Sequence, residues 1–180
     1  MILPENNYFI TSERLGFSKW KEAHFSLAKK LWGDIAVTKL IDSRGRLNDD
    51  QIKEKLELEI ANEERYGVQY FPLFLLESKE FIGCCGLRPY DLSNNIYEIG
   101  FHLTPEHWGQ GYAKEAAIRT IAYAFEELSI NELFAGHNPN NHASRQLLLQ
   151  LGFTYIRDEY FAPTGLSHPS YKLTIENFQY

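Results

Sequence analysis

Sulfur is scarce in this chain: 180 residues carry two cysteines and one methionine. Cys84 and Cys85 are adjacent inside an apolar, strand-like run, so they read as buried free thiols and not as a disulfide framework or a metal site. Basic residues are also short, with 18 Lys and Arg against 24 Asp and Glu and a formal net charge of −6. Nonspecific binding to nucleic acid needs clustered Lys and Arg, and that class is set aside. Acidity suits a cationic partner such as an amine, and it equally suits an ordinary solvated surface. No run of about eighteen apolar residues appears, and Met1 to Asn7 lack the basic start and apolar middle of a signal peptide, so a cytoplasmic protein without a membrane partner is expected.

What the chain does have is 44% hydrophobic residues, enough to bury a core, and one domain over residues 1–180 is expected. Residues 12–20 alternate around Leu15 and Phe17 as a first strand, and Ala23, Leu27, Ala28 and Leu31 follow at helical spacing. Residues 33–47 read as a loop or short helix bordering a cleft. Asp49 and Asp50 start a helix with a narrow stripe, Ile52, Leu56 and Ile60, whose charged side is expected to be solvated. Val68 to Leu76 and Phe81 to Leu87 form a hairpin, with Pro72 marking an edge or bulge. A strand over 132–137 comes next, then a helix through Leu147, Leu148 and Leu151 capped at Gly152. Two closing strands, 153–161 and 170–175, flank a turn with Pro163, Gly165 and Pro169. Helices inserted singly among strands give a mixed α/β layer around one sheet.

The central stretch runs from Tyr97 to Glu115. Tyr97, Ile99, Phe101 and Leu103 share one strand face, with Glu98, Gly100 and His102 on the other. Gly109 and Gly111 then lead into a helix carrying Ala113, Ala117, Ile121, Ala124 and Leu128, and the N–H groups of its first turn make a phosphate or pyrophosphate site. A Walker loop fails for want of its Gly-Lys-Ser/Thr ending, and the dinucleotide fingerprint fails because position 114 is lysine.

Three ordered segments, Glu98-Ile-Gly-Phe, Trp108-Gly-Gln-Gly-Tyr-Ala-Lys-Glu-Ala, and Asn141-His-Ala-Ser-Arg ending at Leu151-Gly-Phe153, resemble the GNAT acetyltransferase superfamily. Ser12-Glu-Arg-Leu and Ile82-Gly-Cys-Cys-Gly-Leu87 extend the likeness to the branch of ribosomal-protein N-terminal alanine and serine acetyltransferases. The resemblance implies an α/β (α+β) fold whose single mixed, mostly antiparallel sheet has about six to seven strands, with helices on both faces. It implies acetyl-CoA as cosubstrate, no metal, and a monomer or homodimer. The pyrophosphate loop departs from the family pattern in having Trp108 at its first place, with Gly111 and Ala113 in the later two. On the resemblance, Phe101, His102, Leu103, Trp108, Gly109, Gln110, Gly111, Tyr112, Ala113, Lys114, Asn141 and Ser144 contact the cofactor, and Lys114 and Arg145 meet CoA phosphates or are simply exposed. Small residues at 109, 111 and 113 also make sense alone, since larger ones would hold a pyrophosphate away from the amides.

Acetyl transfer needs a neutral amine and a route for its proton. An α-amine titrates at about 7.7 to 8.0 and lysine at about 10.4, so deprotonation at pH 7 costs about 1 kcal/mol for the first and about 4 to 5 for the second. Glu98, helped by burial or a water, is the candidate base, or else it orders the sheet. His102 lies about 13 Å further along the strand and reads as pocket lining. Many relatives in the superfamily use a tyrosine as general acid where Leu148 stands. The branch instead has a serine at Ser144, whose hydroxyl would meet the departing sulfur, or which serves as a helix-start residue. Asn141 is divided between helix cap and cofactor contact. His137 and His142 show no metal spacing. The expected acceptor is a protein or peptide N-terminal α-amine, with a small-molecule amine as the alternative and a noncatalytic acyl-CoA-binding module as the alternative of another class. The substrate walls, 33–47 and 160–169, carry no readable code.

Overall fold

Alternation, helical spacing and turn chemistry resolve residues 7–179, the part of the chain described by the computed structural model, into eight strands and five α-helices. The strands are β1 (Ile10–Thr11), β2 (Leu15–Phe17), β3 (Tyr70–Leu75), β4 (Phe81–Asp91), β5 (Ile96–Leu103), β6 (Glu132–Gly136), β7 (Thr154–Phe161) and β8 (Leu166–Thr174). The helices are α1 (Phe25–Trp32), α2 (Ile35–Thr38), α3 (Asp49–Tyr66), α4 (Tyr112–Ala122) and α5 (His142–Gln150). Of the Met1 to Asn7 segment read above for targeting signals, all but Asn7 lies outside the described residues. Among those residues no helix is long and apolar enough to cross a membrane.

One sheet holds all eight strands in the order β1-β2-β3-β4-β5-β6-β8-β7. Every neighbouring pair is antiparallel except β5 and β6, which α4 connects as a crossover. The mostly antiparallel mixed sheet matches expectation, and the strand count exceeds it because the two-residue β1 extends one edge. Trp32, Leu56, Phe74, Phe81 and Cys84 form the core beneath α1 and α3. Ile99, Ile121, Leu133, Leu148 and Leu173 form another beneath α4 and α5. The two thiols thus enter different clusters, Cys84 with Trp32 and Cys85 with Ile82 and Ala116. Both are free, and burial pushes the Cys85 thiol up to about 12.

Three prolines fall inside strands, and two of them, Pro72 and Pro169, stand where an edge or bulge and a turn are expected. Pro72 is in β3, between β2 and β4, and its carbonyl accepts the Ser18 N–H at 3.0 Å just where β2 stops. Its missing donor therefore faces a place where no ladder continues, and the expected bulge lies one residue on, between Leu73 and Phe74. Pro169 lies in β8, which begins earlier than expected, at Leu166. Its carbonyl accepts the His137 N–H at 3.3 Å just past the end of β6, so the same rule covers it.

A reciprocal capping box starts α3: Asn48 accepts the Gln51 N–H at 2.9 Å and Gln51 accepts the Asn48 N–H at 2.9 Å. Gly67 ends the helix in the left-handed region, φ +70°. The expectation that the charged side of this helix is solvated fails at Glu59, which is fully buried. Its position seven residues after Ile52 and three after Leu56 places it on the apolar stripe.

Candidate functional site

β5 and β6 pair only at Ile96 with Glu132, Tyr97 with Leu133 and Glu98 with Phe134. Beyond Glu98 they part, and a cleft of about 1190 Å³ opens between them. Residues 99–103 of β5 line one wall, Phe134 to Asn138 the other, and the first turn of α5 closes the far side with Ser144. Parallel strands joined through a helix tolerate this divergence because each keeps a partner on its outer side, β4 for β5 and β8 for β6.

At the end of β5 the chain makes a glycine turn. Gly109 and Gly111 have φ of +71° and +81°; a Cβ on Gly109 would meet nothing within 4 Å, and one on Gly111 only the Arg14 guanidinium at 3.5 Å. The first α-helical hydrogen bond of α4 runs from the Glu115 N–H to the Gly111 carbonyl at 3.0 Å, so the N–H groups of Tyr112, Ala113 and Lys114 have no carbonyl one turn back. Arg14 braces the turn: Nε donates to Glu115 Oε2 at 2.7 Å, Nη1 to the Gln110 carbonyl at 3.1 Å, and its guanidinium lies 4.3 Å from the Tyr112 ring centroid. Trp108 fixes the other end, donating its indole N–H to the Leu103 carbonyl at 2.9 Å. An open, glycine-floored cradle of unpaired amides at a helix N-terminus fits a pyrophosphate.

Phe101, His102, Leu103, Trp108, Gly109, Gly111, Tyr112, Ala113, Lys114, Asn141 and Ser144 all line the cleft, as does Glu98. Gln110 does not; its side chain folds back to donate to the Glu106 carbonyl at 2.9 Å. Arg145 is exposed and likewise outside the lining. Asn141 is the helix cap, accepting the Ser144 N–H on its side chain at 3.1 Å, which leaves the Ser144 hydroxyl free of that task. Leu148, in the place of the superfamily's tyrosine, is buried in the core beneath α5.

Glu98 is enclosed, and burial raises its carboxyl above the ordinary value, opposed by Arg88 and by the hydroxyl of Tyr70, which donates to Oε1 at 3.4 Å. Tyr70 is itself buried, with its phenol pushed well above the usual range, so it is a fixed donor. Gly100 is glycine because of this ring: a Cβ there would fall 2.3 Å from Tyr70 Cζ. His102, on the same strand face, accepts the Trp32 indole N–H on Nδ1 at 3.3 Å, which puts its proton on Nε2. Burial, with Lys55 and Arg88 adding to it, brings the imidazole down to about 3, so it is neutral at physiological pH. His137 is pinned through Nδ1–H to the Asn138 carbonyl at 2.8 Å and accepts the Tyr171 hydroxyl at 3.3 Å.

The acetyltransferase (GNAT) domain family matches residues 14–154 of the sequence. The chain belongs to the GNAT acetyltransferase family. An uncharacterized N-acetyltransferase p20 of Bacillus licheniformis is 30% identical over 142 residues, covering 79% of this chain and 80% of that one. In fold, the chain is similar to a putative ribosomal-protein-serine acetyltransferase from Vibrio cholerae (TM-score 0.78, 18% identity, 92% of this chain and 96% of that one). It is equally similar to the ribosomal L7/L12 alpha-N-protein acetyltransferase RimL in complex with coenzyme A (TM-score 0.79, 16% identity, 95% and 99%). The protein is thus an N-acetyltransferase of a family that uses acetyl-CoA.

This GNAT chain also has a polar network that the sequence reading missed. Glu59 pairs with Arg88 and accepts the Tyr70 N–H at 2.8 Å; the Arg88 guanidinium lies 4.0 Å from the Tyr70 ring centroid, and Arg88 is directly opposite Glu98 in the sheet. Further along the cleft, Tyr90 stacks on Phe134 at 3.9 Å between centroids and donates its hydroxyl to Glu159 at 2.7 Å. Glu59, a carboxylate on an apolar helical stripe, was the visible signal; Tyr70, Arg88 and Tyr90 carried none.

Proposed function

We propose that the protein transfers the acetyl group of acetyl-CoA to the N-terminal α-amine of a protein or peptide. The observation that carries this reading is the enclosed Glu98 carboxyl at the point where β5 and β6 part, in one cleft with the amide cradle of α4 and the Ser144 hydroxyl. Acetyl-CoA supplies the thioester; every other contribution comes from the chain. The N–H groups of residues 112–114 and the positive end of α4 hold the pyrophosphate, Lys114 adds a cation at the same rim, and the β5 edge from Ile99 to Leu103 orients the arm along the cleft.

Glu98 takes a proton from the incoming ammonium, directly or through one water; the neutral amine then attacks the thioester carbonyl, and as the carbon–sulfur bond breaks the nitrogen's second proton passes to the departing sulfur. Ser144 hydrogen-bonds the departing thiolate sulfur, in the role that tyrosine fills elsewhere in the superfamily. A raised carboxyl matches an α-amine of about 7.8 far better than a lysine amine of about 10.4, because the proton then moves across a smaller pKa gap. The neutral His102, with Nδ1 occupied by Trp32, is a wall and not a second base.

Thiol release from acetyl-CoA with peptides beginning in Ala or Ser tests the reading. Turnover with α-amine peptides but not with their N-terminally blocked, lysine-containing counterparts is the expected result. Turnover restricted to polyamines or amino sugars would move the acceptor to the small-molecule class, and acetyl-CoA binding with no acetylation of any amine would leave a binding module.

A further inference from the structure

On the acceptor side of the cleft, at the opposite end of β5 from the glycine turn, two cationic donors lack a hydrogen-bond acceptor. Asp42 is buried and fully used by Arg44, whose Nε and Nη2 reach its two oxygens at 2.9 and 2.7 Å. Glu59 is fully buried and used by Arg88 and by the Tyr70 amide. Glu159, at the far wall, is held by Arg157 Nε at 2.8 Å and by the Tyr90 hydroxyl. Arg88 has Glu59 as its counter-ion, but one of its donors and the Lys55 ammonium remain unmatched. Arg88 Nε is buried and makes no hydrogen bond, and Lys55, on the α3 face that lines the cleft, makes neither a hydrogen bond nor an ion pair among the described residues.

Lys55 and Arg88 share one space: each repels a proton from His102, and Arg88 repels one from Lys55, whose own pKa is lowered first by burial and then by Arg88. Glu54, also in the lining, is exposed at the rim and does not neutralise the interior. An orphaned buried guanidinium N–H costs free energy unless something accepts it. The CoA phosphates are not that acceptor, because the span from Glu98, opposite Arg88, to Leu103 is about 16 Å of extended strand.

We infer that Lys55 and Arg88 form an anion subsite for the acceptor, selecting amines that carry a carboxylate a few bonds from the accepting nitrogen. The inference rests on the acetylation reading above: the amine faces Glu98, and the carboxylate faces the Lys55 ammonium and the partly exposed Arg88 guanidinium that line the cleft with it. Two sources have this chemistry, an acidic side chain in the second position of a peptide and the α-carboxylate of a free amino acid.

The test is steady-state acetylation of peptides that differ only at the second residue, Ser-Asp, Ser-Ala and Ser-Lys, together with free serine and its amide, by the wild-type protein and by Lys55→Gln and Lys55→Glu. The wild type is expected to favour an acidic over a neutral acceptor by at least about 10-fold in kcat/KM, expressed mainly in KM, as a charge-assisted contact should give. Lys55→Gln is expected to bring that ratio close to one, and Lys55→Glu to invert it in favour of Ser-Lys. Preference for Ser-Asp over Ser-Ala assigns the peptide source; preference for serine over its amide assigns the amino acid. A merely structural Lys55 would lower all acceptors alike and leave the ratio untouched. Turnover with no preference for a carboxylate, or a preference that survives both variants, overturns the subsite and leaves acetylation standing. Acetyl-CoA binding without turnover of any acceptor overturns both.

Discussion

The Tyr70 hydroxyl on β3 donates to Glu98 on β5 across 3.4 Å, reaching over the intervening β4 through the gap left by the missing side chain of Gly100. That contact favours the charged carboxylate, yet burial outweighs it and the Glu98 carboxyl is raised. The sign follows from linkage. A group whose folded pKa exceeds its unfolded value stabilises the fold fully below the unfolded pKa, and that stability is lost as pH rises through the folded pKa. Glu98→Gln removes this loss, so its melting temperature at pH 8 is expected to equal or exceed the wild-type value while kcat falls about 10²-fold, the lower range for a positioned base. The acidic limb of the wild-type pH–rate profile should flatten with it, because His102, at about 3, contributes no limb near neutrality. A melting scan and a pH–rate series on the variant decide this, and an unchanged limb would assign the proton to another group.

Glu59 is the anchor of the same network. Replacing it by Gln leaves Arg88 without its counter-ion and weakens the bond from the Tyr70 amide. Removing one member of a buried pair costs about 3 to 5 kcal/mol. Chemical denaturation of Glu59→Gln should show a loss of this size, against under about 0.5 kcal/mol for Glu57→Gln on the exposed side of α3.

Much of the fold was legible in local pattern, and the reasons for the exceptions are physical. The alternation of Tyr97 to Leu103, the start of α3 at Asp49 and Asp50 and the Gly152 cap, at φ +89°, are local signals, and each was realised in the structure. Pro72 fell beside its expected bulge, whereas Pro169 misled, because a proline is tolerated inside a sheet wherever the strand on its nitrogen side has stopped, and that depends on partners distant in sequence. The glycine turn at one end of the cleft was readable since glycines with positive φ and a helix start are adjacent in the chain. The other half, where the acceptor is proposed to sit, draws on α3, β3, β4 and the β7–β8 hairpin at once, and no single stretch of sequence encodes it.

Gly111 offers a clean test of the amide cradle. At φ +81° both Asp and Asn are among the better-tolerated replacements, so Gly111→Asp and Gly111→Asn place similar demands on the backbone. They differ in charge alone. By calorimetry, Gly111→Asp should weaken CoA binding at least about 10-fold more than Gly111→Asn, and the excess should shrink at high salt as the repulsion between carboxylate and pyrophosphate is screened. Equal losses in the two variants would mean that the site excludes bulk but carries no anion.

Ser144 and Asn141 are three residues apart, and the cap falls to Asn141 alone. Asn141 caps α5 through the Ser144 N–H, so Asn141→Ala should cost about 1 kcal/mol of stability, as lost caps do, with the helix start loosened beside the cleft. Ser144 lines the cleft and gives its amide to the cap, and the Ser144→Ala change keeps the amide. Stability should therefore stay within about 0.5 kcal/mol of wild type. If the hydroxyl meets the sulfur as negative charge develops there, kcat falls while the KM for acetyl-CoA holds, because the contact strengthens only as the bond breaks. A leaving group of lower pKa needs less of this help, so acetyl transfer from an activated aryl thioester should be less sensitive to Ser144→Ala than transfer from acetyl-CoA. Equal sensitivity to the two donors would return Ser144 to the helix as a structural residue.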